Sequence, residues 1–179
     1  VVFVKVTSTD DITAGNYLII YEGNVTKDAV AFNGGLDDLD VVNNGVSVTI
    51  VDGKILATET TVYATFVLQP NKGSLKSASG LYIGRGTNSN GLETAESTLA
   101  NSIEIDDSGN AIITAEGKCT LRYNSNSDQM RFRYYKSGQQ PIALYKYDAT
   151  ATADVEITIT DAGYATYCSE KALEFTGSG

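Results

Sequence analysis

The chain of 179 residues contains no histidine and no tryptophan, and it has only two cysteines and one methionine. Without histidine there is no His-based catalytic triad, no imidazole general base and no imidazole metal ligand. Two thiols are too few for a zinc site built from four thiolates. These absences predict a protein that is not an enzyme and that needs no metal or cofactor.

Long apolar runs are also missing, since none approaches the roughly 18 residues of a membrane span. No positively charged segment opens the chain as in a signal peptide. Because the sequence starts at Val1 and its single methionine is Met130, we expect a mature or trimmed fragment of a longer protein. Cys119 and Cys168 are either reduced core residues or one disulfide, and they fall in segments that we assign to separate units.

Charge is distributed unevenly along the chain, which carries 13 basic and 22 acidic residues and a net charge of −9. Residues 1–60 hold nine acids against three lysines, and residues 148–179 hold six acids against one lysine. Residues 118–147 hold six bases against one acid. The acidic total argues against nucleic-acid binding, while the basic segment leaves room for a local anion site.

Strand signals dominate the chain. The apolar run from Tyr17 to Tyr21 is typical of a strand buried on both faces, and most other segments alternate with a period of two. Residues 61–69 read as one such strand, and residues 91–100 are the best helix candidate. Short, turn-like connections favour antiparallel pairing. We predict an all-β, antiparallel β-sandwich or barrel-like domain, with a β-trefoil as the alternative.

The stretch RFRYYKSGQQPIALYKYD, residues 131–148, reads as a hairpin of two strands around a short loop. Pairing Phe132 with Leu144 and Tyr134 with Ile142 puts apolar side chains on one face and arginine and tyrosine on the other. We therefore expect Phe132 and Leu144 to be buried cross-strand partners.

The character of the sequence changes after this hairpin. The segment DATATAD is small, polar and acidic, as expected for a linker, and strand alternation then restarts at Val155. We predict an all-β domain over residues 1–147, a linker over 148–154, and the start of a second β module over 155–179.

Four stretches, DITAGNYLIIYEG, SGLYIGR, TLRYNSNSDQMRFRYY and IALYKY, together resemble an uncharacterised β-rich module. That module recurs in large secreted and cell-surface proteins of gut Bacteroidetes, often beside hydrolase, nuclease or immunoglobulin-like domains. The tail ITITDAGYATYCSEKALEF resembles the opening of another small module of such proteins. The resemblance implies an extracellular or cell-surface bacterial setting with several domains, and it carries over no catalytic residue.

The arginine and tyrosine face of the predicted hairpin is the candidate binding site. One interpretation is that its charges only protect an exposed sheet from aggregation. The other is a recognition surface for acidic glycans, because arginine grips carboxylate or sulfate groups with two hydrogen bonds. The candidate ligand-binding residues, the last two at the edge of the face, are Arg131, Arg133, Tyr135, Tyr145, Tyr82 and Arg85.

Three other motifs indicate a function less strongly. The glycine-rich residues 80–91 lack the spacing of a phosphate loop, so we expect a tight loop or a ligand-contacting one. The acidic residues 36–45 match no EF-hand and read as a solvated loop. The pairs Asp10–Asp11 and Asp106–Asp107 lie in turns, where aspartate bonds its own backbone, so we assign no glycosidase role to them.

The sequence therefore predicts a non-catalytic accessory or adhesion module that binds carbohydrate. A purely structural spacer is the main alternative, and part of a glycan-active hydrolase is a third.

The predicted boundary can be tested by truncation after Asp148. We expect the remaining chain to unfold cooperatively on heating, because the linker lacks apolar anchors. Thermal unfolding followed by circular dichroism measures this, with the full chain as the control. A truncated chain without a cooperative transition would show that the tail is an integral part of the domain.

Overall fold

The computed structural model describes residues 1–152, which form two antiparallel sheets. The large sheet has ten strands: β1 (Val2–Lys5), β2 (Gly15–Tyr21), β3 (Val30–Phe32), β4 (Gly45–Ser47), β5 (Lys54–Leu56), β6 (Phe66–Gln69), β7 (Ser74–Ser77), β8 (Tyr82–Gly84), β9 (Glu93–Ala95) and β14 (Ala143–Asp148). The small sheet has four strands: β10 (Asn101–Ile105), β11 (Ala111–Ala115), β12 (Thr120–Asn124) and β13 (Arg131–Tyr135).

The strands of the large sheet follow the order β5-β1-β14-β2-β6-β7-β8-β9, and a branch of β3 and β4 pairs onto β2. The small sheet is a simple meander, β10-β11-β12-β13. Neither sheet closes on itself. The all-β antiparallel prediction is confirmed in its sandwich-like form, and the barrel-like and trefoil alternatives, which need a closed barrel, are not formed.

The large sheet is covered on both faces around β2 and β14, which explains the apolar run in β2. Tyr17 and Ile19 join the inner core between the two sheets, whereas Leu18 and Ile20 join an outer core on the opposite face. Val46, Val48, Ile50 and Ala57 pack against this outer core. The prediction of a strand buried on both faces is therefore confirmed, since residues 17–21 are all buried.

A chain of aromatic rings in contact, two pairs stacked and two tilted, runs through the inner core and connects the two sheets. Phe32 of the large sheet lies parallel to Phe132 of the small sheet, with ring centroids 5.1 Å apart and 3° between the planes. Phe66 extends the chain at one end, 4.9 Å from Phe32. At the other end Tyr123 contacts Phe132 at 4.7 Å and stacks on Tyr21 at 4.6 Å. We call these five rings the aromatic ladder.

The predicted hairpin of residues 131–148 is wrong. Strand β13 pairs with β12 in the small sheet, and β14 crosses to the large sheet, where it lies between β1 and β2. Phe132 and Leu144 are both fully buried in the inner core, as expected, but they are not cross-strand partners. The physical reason is burial: Ala143, Leu144 and Tyr145 are all buried, so β14 needs cover on both faces, which a half-exposed hairpin does not provide.

The helix prediction is also corrected. Residues 91–100 contain the three-residue strand β9 and no helix, whereas the helix α1 (Glu59–Tyr63) overlaps the first three residues of the segment 61–69 that is predicted as a strand. A reciprocal pair of hydrogen bonds explains this start. The Thr58 hydroxyl accepts from the Thr61 N–H at 3.2 Å, and the Thr61 hydroxyl accepts from the Thr58 N–H at 2.8 Å. This capping box outweighs the β-propensity of the threonine and valine residues.

Strand β14 ends at Asp148, the first residue of the predicted linker. The hydroxyl and backbone N–H of Thr150 donate to the Asp148 carboxylate, and these hydrogen bonds lower the pKa of Asp148. Cys119 is buried, and it forms no disulfide within residues 1–152. The predicted second module and its Cys168 lie outside the described residues.

The aromatic ladder predicts a large cost for removing its central ring. Phe132→Ala should lower the free energy of unfolding by about 3–5 kcal/mol, because it removes buried area and leaves a cavity between the sheets. Chemical denaturation measures this, with Val67→Ala on the outside of β6 as the control. A loss within about 0.5 kcal/mol, the range of a surface change, would contradict the ladder.

Candidate functional site

The β12–β13 hairpin presents three arginines on the outer side of the small sheet. Alternation along β13 turns Phe132 and Tyr134 into the inner core and leaves Arg131 and Arg133 half-buried on the other side. In β12, Arg122 lies directly opposite Arg133 of β13. We call Arg122, Arg131 and Arg133 the arginine face. Placing two like charges opposite each other destabilises a sheet unless something compensates them.

Asp40 compensates two of the three arginines. Its carboxylate accepts from Arg133 through two parallel hydrogen bonds, Nε–Oδ1 at 2.9 Å and Nη2–Oδ2 at 3.2 Å. Arg131 lies next to the same carboxylate, with Nη1 3.8 Å from Oδ1, and its side chain is only 14% exposed. The two-bond geometry is the arrangement that arginine makes with carboxylates in general. Two of the predicted ligand-binding residues are therefore already engaged with an acid of the same chain.

The loop that carries Asp40 is fixed by a buried asparagine at the edge of the small sheet. The side chain of Asn44 is fully buried, donates to the carbonyl oxygens of Leu39 at 2.8 Å and Phe132 at 3.0 Å, and accepts from the Phe132 N–H at 2.8 Å. The backbone N–H of Asn43 donates to the carbonyl of Met130. One side-chain amide thus substitutes for a neighbouring strand along β13.

The other half of the β13 edge is closed by the loop after β8. Gly91 exchanges two backbone hydrogen bonds with Tyr134, at 3.0 and 3.1 Å, and the Asn90 side chain accepts from the Lys136 N–H at 2.9 Å. With Asn44, these contacts satisfy the outward backbone groups of β13, so this edge is closed to further strands.

Arg122 differs from the other two arginines. Its Nε lies 3.4 Å from the Thr120 hydroxyl and its Nη1 lies 3.4 Å from the Gln139 carbonyl, both long contacts to neutral acceptors. Among residues 1–152 no carboxylate forms a salt bridge with it. Arg122 also lines a cleft of about 190 Å³ whose wall includes Asp106 and Asn110. It is the member of the arginine face that is best placed to receive an anion.

The two tyrosines assigned to this face do not form a stacking platform. Tyr135 lies on the outer side of β13 by alternation, but it is only 5% exposed. Tyr145 belongs to the large sheet and is fully buried in the outer core, so its assignment to the arginine face is wrong. Its hydroxyl donates to Glu22, whose carboxylate also pairs with Lys5 at 2.9 Å. Burial, together with this hydrogen bond, raises the pKa of Tyr145 above the ordinary value of a phenol.

Tyr82 and Arg85 lie at β8 of the large sheet and are not part of the arginine face. Arg85 donates to the carbonyl and hydroxyl of Ser89, both at 2.8 Å, and pairs with Glu93 at 3.3 Å. It therefore holds the glycine-rich loop in place. The Lys76 ammonium lies 5.5 Å from the ring centre of Tyr82. Both predicted edge residues have partners within their own sheet.

The remaining motifs behave mostly as turns. The Asp106 carboxylate accepts from the backbone N–H groups of Ser108 and Asn110, both at 2.9 Å, as in an Asx turn. Asp37 and Asp38 are exposed. Within residues 1–152 no three acidic or cysteine side chains converge as a metal site would require.

Two of the residues that matter here were missed by the sequence prediction. Arg122 alternates with the buried Leu121 and Tyr123, so the period-two pattern of β12 could have placed it beside Arg133. Asp40 offered no such signal, because its partner Arg133 is 93 residues away.

No family model matches this chain, and no curated protein or solved structure shows significant similarity to it. Across the described residues, no helix has the length and apolar character needed to span a membrane.

The structure predicts that Asn44→Ala destabilises the domain by about 2–4 kcal/mol. The change leaves the N–H and C=O of Phe132 without their partners, and each buried unsatisfied group costs about 1–3 kcal/mol. Chemical denaturation measures the loss, and Asn126→Ala at an exposed turn position is the matched control. Equal stability of the two variants would show that Asn44 does not close the β13 edge.

Proposed function

We propose that this chain is a non-catalytic accessory or adhesion module of a secreted or cell-surface bacterial protein, and that its arginine face binds an acidic glycan. The observation that supports the proposal is the position of Arg122, opposite Arg133 and without a carboxylate salt-bridge partner in residues 1–152. A guanidinium group stays charged and donates several hydrogen bonds, so it can hold an anion without taking part in proton transfer.

The fixed geometry around Arg122 favours a ligand-binding role over the alternative that Arg122 is only a solvated surface charge. Its side chain is half-buried against Thr120 and the Gln139 carbonyl, so little rotamer freedom remains to be lost on binding. A carboxylate or sulfate placed at this guanidinium would also relieve the repulsion between Arg122 and Arg133. Thr120 supplies a hydroxyl for a neighbouring sugar oxygen in the same cleft.

Asp40 limits where the anion binds. Because Arg133 already forms two hydrogen bonds with Asp40, an acidic sugar would have to displace this carboxylate to bind Arg131 or Arg133 in the same way. The proposed anion position is therefore between Arg122 and the exposed side of Arg133. The salt bridges to Asp40 mainly fix the orientation of the Arg131 and Arg133 side chains.

The test is a calorimetric titration of a sulfated and a sialylated oligosaccharide into the wild-type chain and Arg122→Gln. We expect binding in the millimolar to micromolar range, about −4 to −8 kcal/mol, and a loss of about tenfold or more in the variant. Because the interaction is ionic and partly exposed, affinity should fall as salt rises.

Lys72→Gln is the matched control, since it removes one positive charge from an exposed turn of the large sheet. It should bind as the wild type does, which separates a local site from an effect of net charge. If the wild type binds neither acidic glycan, or if Arg122→Gln binds equally well, the spacer interpretation replaces this proposal. Release of reducing sugar in the same samples would overturn its non-catalytic part.

A further inference from the structure

A groove lies beside β4, at the end of the aromatic ladder. Two clefts of about 300 and 460 Å³ meet there and share Lys27, Asp28 and Ser47 as lining residues. Their volumes lie within the range of roughly 300–1,000 Å³ that small-ligand sites occupy. We call this pair of clefts the β4 groove.

The floor of the first cleft is apolar and rigid. Tyr21 and Tyr123 line it with their stacked rings, 4.6 Å apart and only 14° from parallel, and Val30 and Met130 complete it. The two rings are only 4% and 5% exposed, so packing fixes their positions before any ligand arrives. A floor of this kind suits the C–H surface of a sugar ring, which is apolar while its edge is polar.

One wall of the groove is a free strand edge. Among the described strands β4 pairs only with β3, and the hydrogen bonds Asn33 N–H to Asn44 O and Val48 N–H to Ala29 O set the alternation of this ladder. By that alternation the backbone N–H and C=O groups of Gly45 and Ser47 point away from β3.

Both residues line the first cleft, and Ser47 is exposed. The groove thus presents backbone donors and acceptors next to an apolar floor.

The positive and negative charges around the groove are equal in number. Lys27 and Asp28 are adjacent and exposed, and Glu22 pairs with Lys5 at 2.9 Å. The remaining polar lining consists of neutral side chains such as Asn24 and Thr49. Such groups both donate and accept hydrogen bonds, which matches hydroxyl groups rather than an ion.

We propose that the β4 groove is a second binding site, which takes a neutral, unmodified sugar unit of a glycan chain. The backbone groups of Gly45 and Ser47 bond its hydroxyls. Its C–H surface contacts the apolar floor, which consists of Val30, Met130 and the small exposed parts of Tyr21 and Tyr123. An added peptide strand is less suited to this edge, because β4 has three residues where a typical strand has about five or six.

This site is independent of the arginine face. Tyr123 turns inward to the groove, whereas its neighbour Arg122 turns outward, so the two sites lie on opposite sides of β12. Substitutions at one site leave the other unchanged, and failure of one proposal does not carry over to the other.

The test uses the isotope-labelled chain and four neutral trisaccharides, maltotriose, cellotriose, mannotriose and xylotriose, at millimolar concentration. We expect at least one of them to shift the amide resonances of Gly45 and Ser47. The shifts should persist at high salt, because no ion pair is involved. Arg122→Gln should give the same shifts, which separates this site from the arginine face.

Ser47→Trp should abolish the shifts by filling the groove, and Thr94→Trp at an exposed position of β9 is the matched control that should retain them. The wild-type resonance map tests the site even if the bulky variant loses its fold. No shift with any trisaccharide, shifts confined to other residues, or wild-type binding by a folded Ser47→Trp would each overturn the proposal. Shifts at Gly45 and Ser47 caused only by an extended Val-Thr peptide would do the same and assign a strand-docking site.

Discussion

The contact between Phe32 and Phe132 is the interaction on which the rest of the structure depends. It joins parallel rings of the two sheets in the middle of the aromatic ladder, which spans the inner core from Phe66 to Tyr21. Rings that stack at fixed distances set the spacing of the sheets more tightly than aliphatic side chains do, because they have few rotamers and a preferred geometry. The Tyr21–Tyr123 end of this ladder forms part of the rigid floor of the β4 groove.

The two sheets solve the problem of their free edges in different ways. In the small sheet the β13 edge is closed by groups that are not strands: the Asn44 amide, the backbone of Gly91 and the Asn90 side chain. In the branch of the large sheet, the edge of β4 has no partner strand among the described residues. Closing the β13 edge costs free energy, because the fully buried Asn44 side chain must be desolvated. The unpaired β4 edge contrasts with this.

Much of the local structure could be predicted from sequence, because it depends on patterns of a few residues. The β10–β11 and β12–β13 hairpins follow from alternation around short turns, and the double burial of β2 follows from its unbroken apolar run. The position of β14 could not be predicted, because alternation in a strand says which side chains share a face but not which sheet supplies the partners. The α1 helix depends on the reciprocal hydrogen bonds between Thr58 and Thr61, which outweigh the β-propensity of its threonine and valine residues.

The candidate site likewise combines features that could be predicted from local sequence with features that could not. The presence of Arg131 and Arg133 on one face was predicted from the sequence, and the inclusion of Arg122 could have been. The neutralising role of Asp40 and the removal of Tyr145 to the other sheet both depend on contacts between segments more than 90 residues apart. Tyr145 was assigned to the arginine face because it is close to Arg131 and Arg133 in sequence, whereas the structure places it in the other sheet.

The central position of β14 has a consequence for how this domain forms during synthesis. Strands β1 and β2 are the first of the described strands to be made, yet the strand that joins them, Ala143–Asp148, is the last of these strands. The large sheet is therefore incomplete until the last of the described strands has been made, and until then β1 and β2 each keep one edge unpaired. Such non-local pairing slows folding, which gives a chaperone time to engage the chain while it is still extended.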